Sequence, residues 1–130
     1  MSSLNIIDLG LTEYQRALQI QKTLVKERLD NSTPDTLLLV EHPHVVTLGK
    51  QTSPNDVLDN SIPIVKVDRG GSATYHGPGQ LVFYFVIDLN KRGKNIKKLI
   101  SGIENTIIKT LKKYKIKTFA DRKNIGIWHK

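Results

Sequence analysis

A chain of 130 residues, 38% hydrophobic and 25% charged, fits one soluble globular domain. No apolar run nears the roughly 20 residues that span a bilayer, and Met1–Leu11 lacks the basic and apolar regions of a signal peptide, so the expected compartment is the cytoplasm, with no membrane partner. There is no cysteine, which excludes disulfides, a thiolate nucleophile and cysteine-bound zinc from these residues.

In chain order, Leu4–Leu9 is an apolar run suited to a strand. Thr12 and Gln15 stand at the spacing of a capping box. Tyr14, Ala17, Leu18, Leu24, Val25 and Leu29 then recur at helical intervals, predicting a helix that ends near Asn31, before Pro34. Thr36–Val40 is a continuous apolar run, hence a buried strand. Val45–Leu48 reads as a second strand after the His42-Pro43-His44 corner, and Gln51–Ser61 as polar, turn-rich chain. Ile62–Val67 is a third strand with Pro63 near its start. Asp68–Gln80 is a glycine-rich loop, and Leu81–Leu89 is a strand rich in aromatic and β-branched residues. Ile96, Leu99, Ile100, Ile103, Ile107, Ile108 and Leu111 draw a helical stripe read as a core face. Ile116–Phe119 is a short strand, and Ile125–Trp128 begins another with no turn or cap after it. The sum is a mixed α/β (α+β) sheet with packed helices, one domain over residues 1–130.

The net charge of +8 is localised, because Lys91–Lys117 holds ten Lys/Arg against the single acid Glu104. Such a patch attracts acidic partners. Nucleic acid is the less favoured of these, since Tyr114 is almost the only residue interleaved there that could stack on a base.

The richest segment for chemistry is Arg69-Gly70-Gly71-Ser72-Ala73-Thr74-Tyr75-His76-Gly77-Pro78-Gly79-Gln80. Its glycines suit sharp turns or close approach to a ligand. Arg69 adds a planar cation, Tyr75 an aromatic surface, and His76 a titratable group placed to orient a substrate carbonyl. Flanked by strands, the loop could line a pocket for a polar head and an apolar tail; a glycine-rich hairpin without a ligand is the alternative. No phosphate-loop pattern is present. His42 and His44, two apart, could share a strand face and bind metal, but no third ligand has suitable spacing, so no metal is expected. Ser72 lies outside any G-x-S-x-G pattern.

The run Arg69-Gly70-Gly71-x-x-Thr74-Tyr75-His76-Gly77-Pro78-Gly79-Gln80 resembles the signature of the lipoyl(octanoyl) transferases. Leu39-Val40-Glu41-His42, Val46-Thr47-x-Gly49, Ile62-Pro63-Ile64 and Gly126-Ile127-Trp128 support the resemblance. It implies a fold like that of the biotin and lipoate protein ligases, C-terminally incomplete here. It also implies transfer of an octanoyl group from acyl carrier protein to a lysine on lipoyl domains, those of 2-oxoacid dehydrogenases and the glycine cleavage H protein, without a cofactor. In the family a cysteine forms the acyl-enzyme and a lysine lowers its pKa. The resemblance places both beyond residue 130, so no catalytic residue is carried over and the chain is expected to be inactive alone. Arg69, Gly70, Gly71, Ser72, Ala73, Thr74, Tyr75 and His76 are carried over as acyl-substrate contacts. Three readings stay open: half of a split enzyme completed by a C-terminal polypeptide, a non-catalytic remnant that binds acyl groups or acyl carrier protein, and a basic nucleic-acid-binding protein. Lipoate ligases share the fold, but the Thr74–Gln80 run favours the transferase.

Overall fold

The computed structural model describes residues 4–130. They form two compact units, one ending at Ile87 and the other spanning Asp88–Lys130.

The first unit contains β1 (Leu4–Leu11), α1 (Tyr14–Leu29), β2 (Asp35–Glu41), β3 (Val45–Leu48), β4 (Ile64–Lys66), β5 (Ala73–His76) and β6 (Val82–Val86). They make two three-stranded mixed sheets. In one, β2 is central, parallel to β1 and antiparallel to β6. In the other, β3 is central, parallel to β4 and antiparallel to β5. Both central strands come from the apolar runs of the sequence, and only His42-Pro43-His44 separates them.

Alternation along β2 buries Thr36, Leu38 and Val40 with Val86 of β6, while α1 buries Tyr14 and Ala17. Ala17 is small enough to bring the helix backbone close to the strands. The opposite face, with Ile6, Phe83 and Phe85, stays substantially exposed. Arg28 near the end of α1 donates from Nε to Asp35 at the start of β2 at 2.8 Å, with side chains 9% and 1% exposed. Asp35→Ala removes the carboxylate from this dry ion pair and should cost about 3 kcal/mol. Chemical denaturation of the chain measures it, and a loss well under 1 kcal/mol would mean that solvent screens the pair as at a surface.

Several boundaries differ from the sequence reading. The capping box does not form: Glu13 is the N-cap of α1 and gives no side-chain cap. Thr12 is still tied to the sheet, its N–H donating to the Glu41 carbonyl at 2.8 Å and its hydroxyl to the Leu9 carbonyl at 2.7 Å. Ile62 and Pro63 lie outside β4, and the Pro63 carbonyl accepts from Val46 N–H. The strand expected over Leu81–Leu89 stops at Val86, because Asp88 caps a 3-10 turn, Leu89–Arg92. The glycine-rich loop contains β5, a strand set by its long-range partner β3 rather than by its own composition.

The second unit holds α2 (Ile96–Lys113), β7 (Thr118–Ala120) and β8 (Ile127–His129). Asn95 caps α2 by accepting from Lys98 N–H at 2.9 Å, and Lys112 and Lys113 sit in the last turn, where cations suit the helix dipole. β7 and β8 pair antiparallel, with Phe119 opposite Trp128. The final strand therefore does have a turn before it: Asp121 accepts from Lys123 N–H and from the Asn124 amide, and Trp128 Nε1 donates to the Asn124 carbonyl. The apolar stripe of α2 is not fully used as a core face. No described residue of α2 is buried, since a two-stranded ribbon is too small to cover it. Ile100, Ile103, Ile107, Leu111, Ile116 and Ile127 line an open groove of about 770 Å³. No helix among the described residues is long and apolar enough to cross a membrane.

Candidate functional site

The site is built where the glycine-rich loop folds back on β3. Antiparallel pairing sets Thr47 opposite Thr74 and Val45 opposite His76. Residue alternation along β5 then sends Thr74 and His76 to the side of buried Val45 and Thr47, and Tyr75 to the other.

Arg69 starts the loop and is spent on holding it. Its guanidinium donates to the Thr47 carbonyl at 3.0 Å, to the Thr47 hydroxyl at 2.8 Å and to the Gly70 carbonyl at 2.9 Å. This planar fork bridges strand and loop as an ammonium could not. Thr47 is fully buried and passes its own hydroxyl proton to the Thr74 carbonyl at 3.3 Å. The segment after β3 braces the loop from its other edge. Gly49 N–H donates to the Ser72 carbonyl, Lys50 N–H to Arg69 and Gln51 N–H to Gly71. The Gln51 side chain accepts from Gly71 N–H at 3.1 Å.

Gly49 has to be glycine here. A Cβ would lie 2.8 Å from Arg69 Nη1 and 2.9 Å from the Gly70 carbonyl, with the Gly71 carbonyl nearer still. Gly71, with φ +81°, turns the chain where an L side chain would be strained.

Ser72 donates its hydroxyl in a short bond to Asp56, which lies in the 3-10 turn Pro54–Asp56. That hydroxyl, followed by the Ser53 N–H, holds the Asp56 carboxyl below its usual range. Ser72→Ala should move the Asp56 titration midpoint back toward 3.8, read from its carboxyl carbon resonance; an unmoved midpoint would show that Ser72 does not tie the loop to this turn.

Beneath the loop lies a cluster of rings. His42 is wholly buried. Its Nδ1 lies 2.7 Å from the Thr12 carbonyl, so Nδ1 carries the proton, and its Nε2 lies 2.9 Å from the Tyr84 hydroxyl. Burial, the largest effect, pushes the His42 pKa down. The neutral ring then accepts at Nε2, and Tyr84 donates. Tyr14 packs on His42 at 5.1 Å and stacks on His76 at 6.2 Å with planes 15° apart. His76 meets His42 edge-on at 5.7 Å. Burial raises the pKa of both Tyr14 and Tyr84, while the Arg69 cation opposes the rise.

Of the loop residues expected to contact substrate, His76 meets this ring cluster and Arg69 reaches it only through its charge, whereas Tyr75 points elsewhere, its hydroxyl 2.6 Å from His44 Nδ1. Gly70 is exposed, Ser72 faces Asp56, and Ala73 and Thr74 form β5. His42 and His44 do not share a face: one is buried with both ring nitrogens engaged and the other is exposed. Among the described residues no three His, Asp or Glu gather as metal ligands. A cleft of about 450 Å³ borders the bracing segment, lined by Leu48, Gly49, Lys50, Val57, Lys66 and Val67.

Sequence reasoning missed Tyr14, His42, Thr47, Gly49, Gln80 and Tyr84 as site residues. The Val46-Thr47-x-Gly49 and Glu41-His42 patterns were visible as motifs, but only the folded chain shows that they grip the loop. Tyr14 looked like one more apolar position on a helix.

The chain belongs to the family described as the lipoyl protein ligase A/B catalytic domain, whose model matches residues 13–130. Within that family it is similar to proteins named octanoyltransferase. It is 40% identical over 130 residues to that of Syntrophobacter fumaroxidans, covering 95% of this chain and 57% of the relative. It is 44% identical over 126 residues to that of Neisseria meningitidis serogroup C, covering 96% and 60%. The chain thus spans about three-fifths of the length of these curated relatives. Its fold matches P. falciparum LipL1 in complex with lipoate, with a TM-score of 0.66 at 17% identity over 98% of this chain and 40% of that one. It also matches a lipoate-protein ligase A bound with ATP, with a TM-score of 0.56 at 14% identity over 95% of this chain and 51% of that one. The biotin/lipoate-ligase-like fold expected from the loop is the fold observed.

Proposed function

We propose that these residues carry the acyl-substrate side of an octanoyltransferase. The reaction moves an octanoyl group from acyl carrier protein to a lysine of lipoyl domains in 2-oxoacid dehydrogenases and the glycine cleavage H protein, in the cytoplasm. The observation that carries this reading is the loop Arg69–His76, pinned by Thr47 and Gly49 so that His76 lies over the Tyr14–His42–Tyr84 ring cluster. The names of the 40–44% identical relatives support it. In this reading residues 1–130 are one incomplete domain. Arg69 fixes the loop, the glycines expose its backbone to the acyl group, and the lysines of Lys91–Lys117 steer the acidic carrier protein.

The chain has no cysteine, so in this reading the nucleophile and its assisting lysine lie in the part of the family's length that these 130 residues do not span. The half-covered apolar residues Phe83 and Phe85 in one unit, and the groove along α2 in the other, are surfaces that this remaining part would bury. A transfer assay with octanoyl carrier protein and an apo lipoyl domain, read by mass spectrometry, tests this. Octanoylation is expected only when the C-terminal part of a relative is added; octanoylation by the chain alone would overturn the assignment of the nucleophile.

A further inference from the structure

His76 is fixed on three sides. Tyr14 stacks on its face and His42 meets it edge-on. Its Nδ1 lies 2.6 Å from the Gln80 side-chain oxygen. The orientation of the Gln80 amide is itself set: its nitrogen points at the Tyr75 carbonyl, 3.4 Å away, which can only accept. The turn that brings Gln80 back is held by Gln80 N–H donating to the Gly77 carbonyl at 3.1 Å and by Gly79 N–H donating to Glu41 at 2.8 Å. An oxygen facing Nδ1 requires the proton to be on Nδ1. In the neutral ring Nε2 is then a bare lone pair, and among the described residues it has no hydrogen-bond partner.

We propose that Gln80 is a positioning residue that locks neutral His76 in the Nδ1–H tautomer, so that the loop presents Nε2 as an acceptor for an N–H donor of the substrate. This rests on the transferase reading for the identity of that donor. It reverses the polarity expected from the sequence, because a bare Nε2 cannot donate to an acyl carbonyl. It fits either of two N–H groups: an amide of the pantetheine arm that carries the acyl chain, or the amine of the receiving lysine. Neutral histidine in water prefers the opposite, Nε2–H, tautomer, so the lock has a spectroscopic signature.

Long-range proton–nitrogen spectra of the histidine-labelled 130-residue chain, at about pH 8 where an ordinary ring is neutral, should show His76 protonated on Nδ1. Gln80→Leu should turn it to the Nε2–H form, and Gln80→Glu, which still accepts at that position, should restore Nδ1–H. A merely structural role for Gln80 would not move the tautomer. Octanoyl-pantetheine and Nα-acetyl-lysine methylamide are then added separately. A shift at Nε2 with the first identifies the pantetheine amide as the donor, and with the second the lysine amine; Gln80→Leu should weaken that compound's binding about tenfold, the worth of one such hydrogen bond. An Nε2–H ring in the unaltered chain overturns the proposal, as does an Nε2 that neither compound moves. If octanoyl-pantetheine fails to bind anywhere while the lysine compound shifts Nε2, the acyl-site reading fails and the acceptor role of His76 stands.

Discussion

Replacing His42 by alanine should destabilise the chain by about 3 kcal/mol, the size expected when a buried ring is removed and its polar partners are left in a dry site. The ring is completely buried and joins Thr12, at the entry to α1, to Tyr84 on β6. Two milder variants separate its bonds. Asparagine places a donor near the Nδ1 position and should keep the Thr12 bond, whereas glutamine reaches the Nε2 position and should keep Tyr84. Each should recover roughly half of the loss, about 1–2 kcal/mol.

The pH dependence has a definite sign. The pKa of His42 is lowered from 6.5, chiefly by burial. Between 6.5 and the lowered native value the unfolded chain takes up a proton that the folded chain does not. The contribution of His42 is therefore full above pH 6.5 and is lost as the pH falls below it. Denaturation midpoints measured from pH 8 to pH 5 should fall less steeply in His42→Gln than in the unaltered chain. Parallel slopes would show that His42 does not titrate differently in the two states.

The second large effect is expected at Gly49. Gly49→Ala drives a Cβ into the Gly70 and Gly71 carbonyls and the Arg69 guanidinium. These are backbone atoms and a side chain already committed to Thr47, so the loop must move as a unit. Stability should fall by about 1–3 kcal/mol. Octanoyl-pantetheine binding should fall more than tenfold, because the displaced loop loses its bonds to residues 49–51. Gly70→Ala is the matched control for packing: a Cβ there meets nothing within 4 Å, so stability should stay close to that of the unaltered chain. Equal effects at the two positions would mean that close approach at Gly49 does not set the loop.

These two sites mark where the sequence stopped being legible. The apolar runs at Thr36–Val40 and Val45–Leu48 and the helical stripes after Tyr14 and Ile96 gave the central strands and both helices, because their patterns are local. β5 was hidden inside a glycine-rich stretch, since four residues reading Ala-Thr-Tyr-His become a strand only against β3. The capping box failed because Thr12 is held by Leu9 and Glu41, the latter distant in sequence. His42 was weighed beside His44 as a metal-ligand pair and set aside for want of a third ligand, but nothing local reveals that residues 30 and 42 positions away take both of its nitrogens. The loop motif was plain in the sequence, whereas its supports lie elsewhere in the chain, Thr47 in β3 and Gly49 just after it.

The most direct measurement is calorimetric binding of octanoyl acyl carrier protein to the 130-residue chain, with His76→Ala beside it. A loop that forms the acyl site predicts measurable binding to the unaltered chain, weakened about tenfold or more by the substitution. No binding, or binding that His76→Ala leaves unchanged, would contradict it.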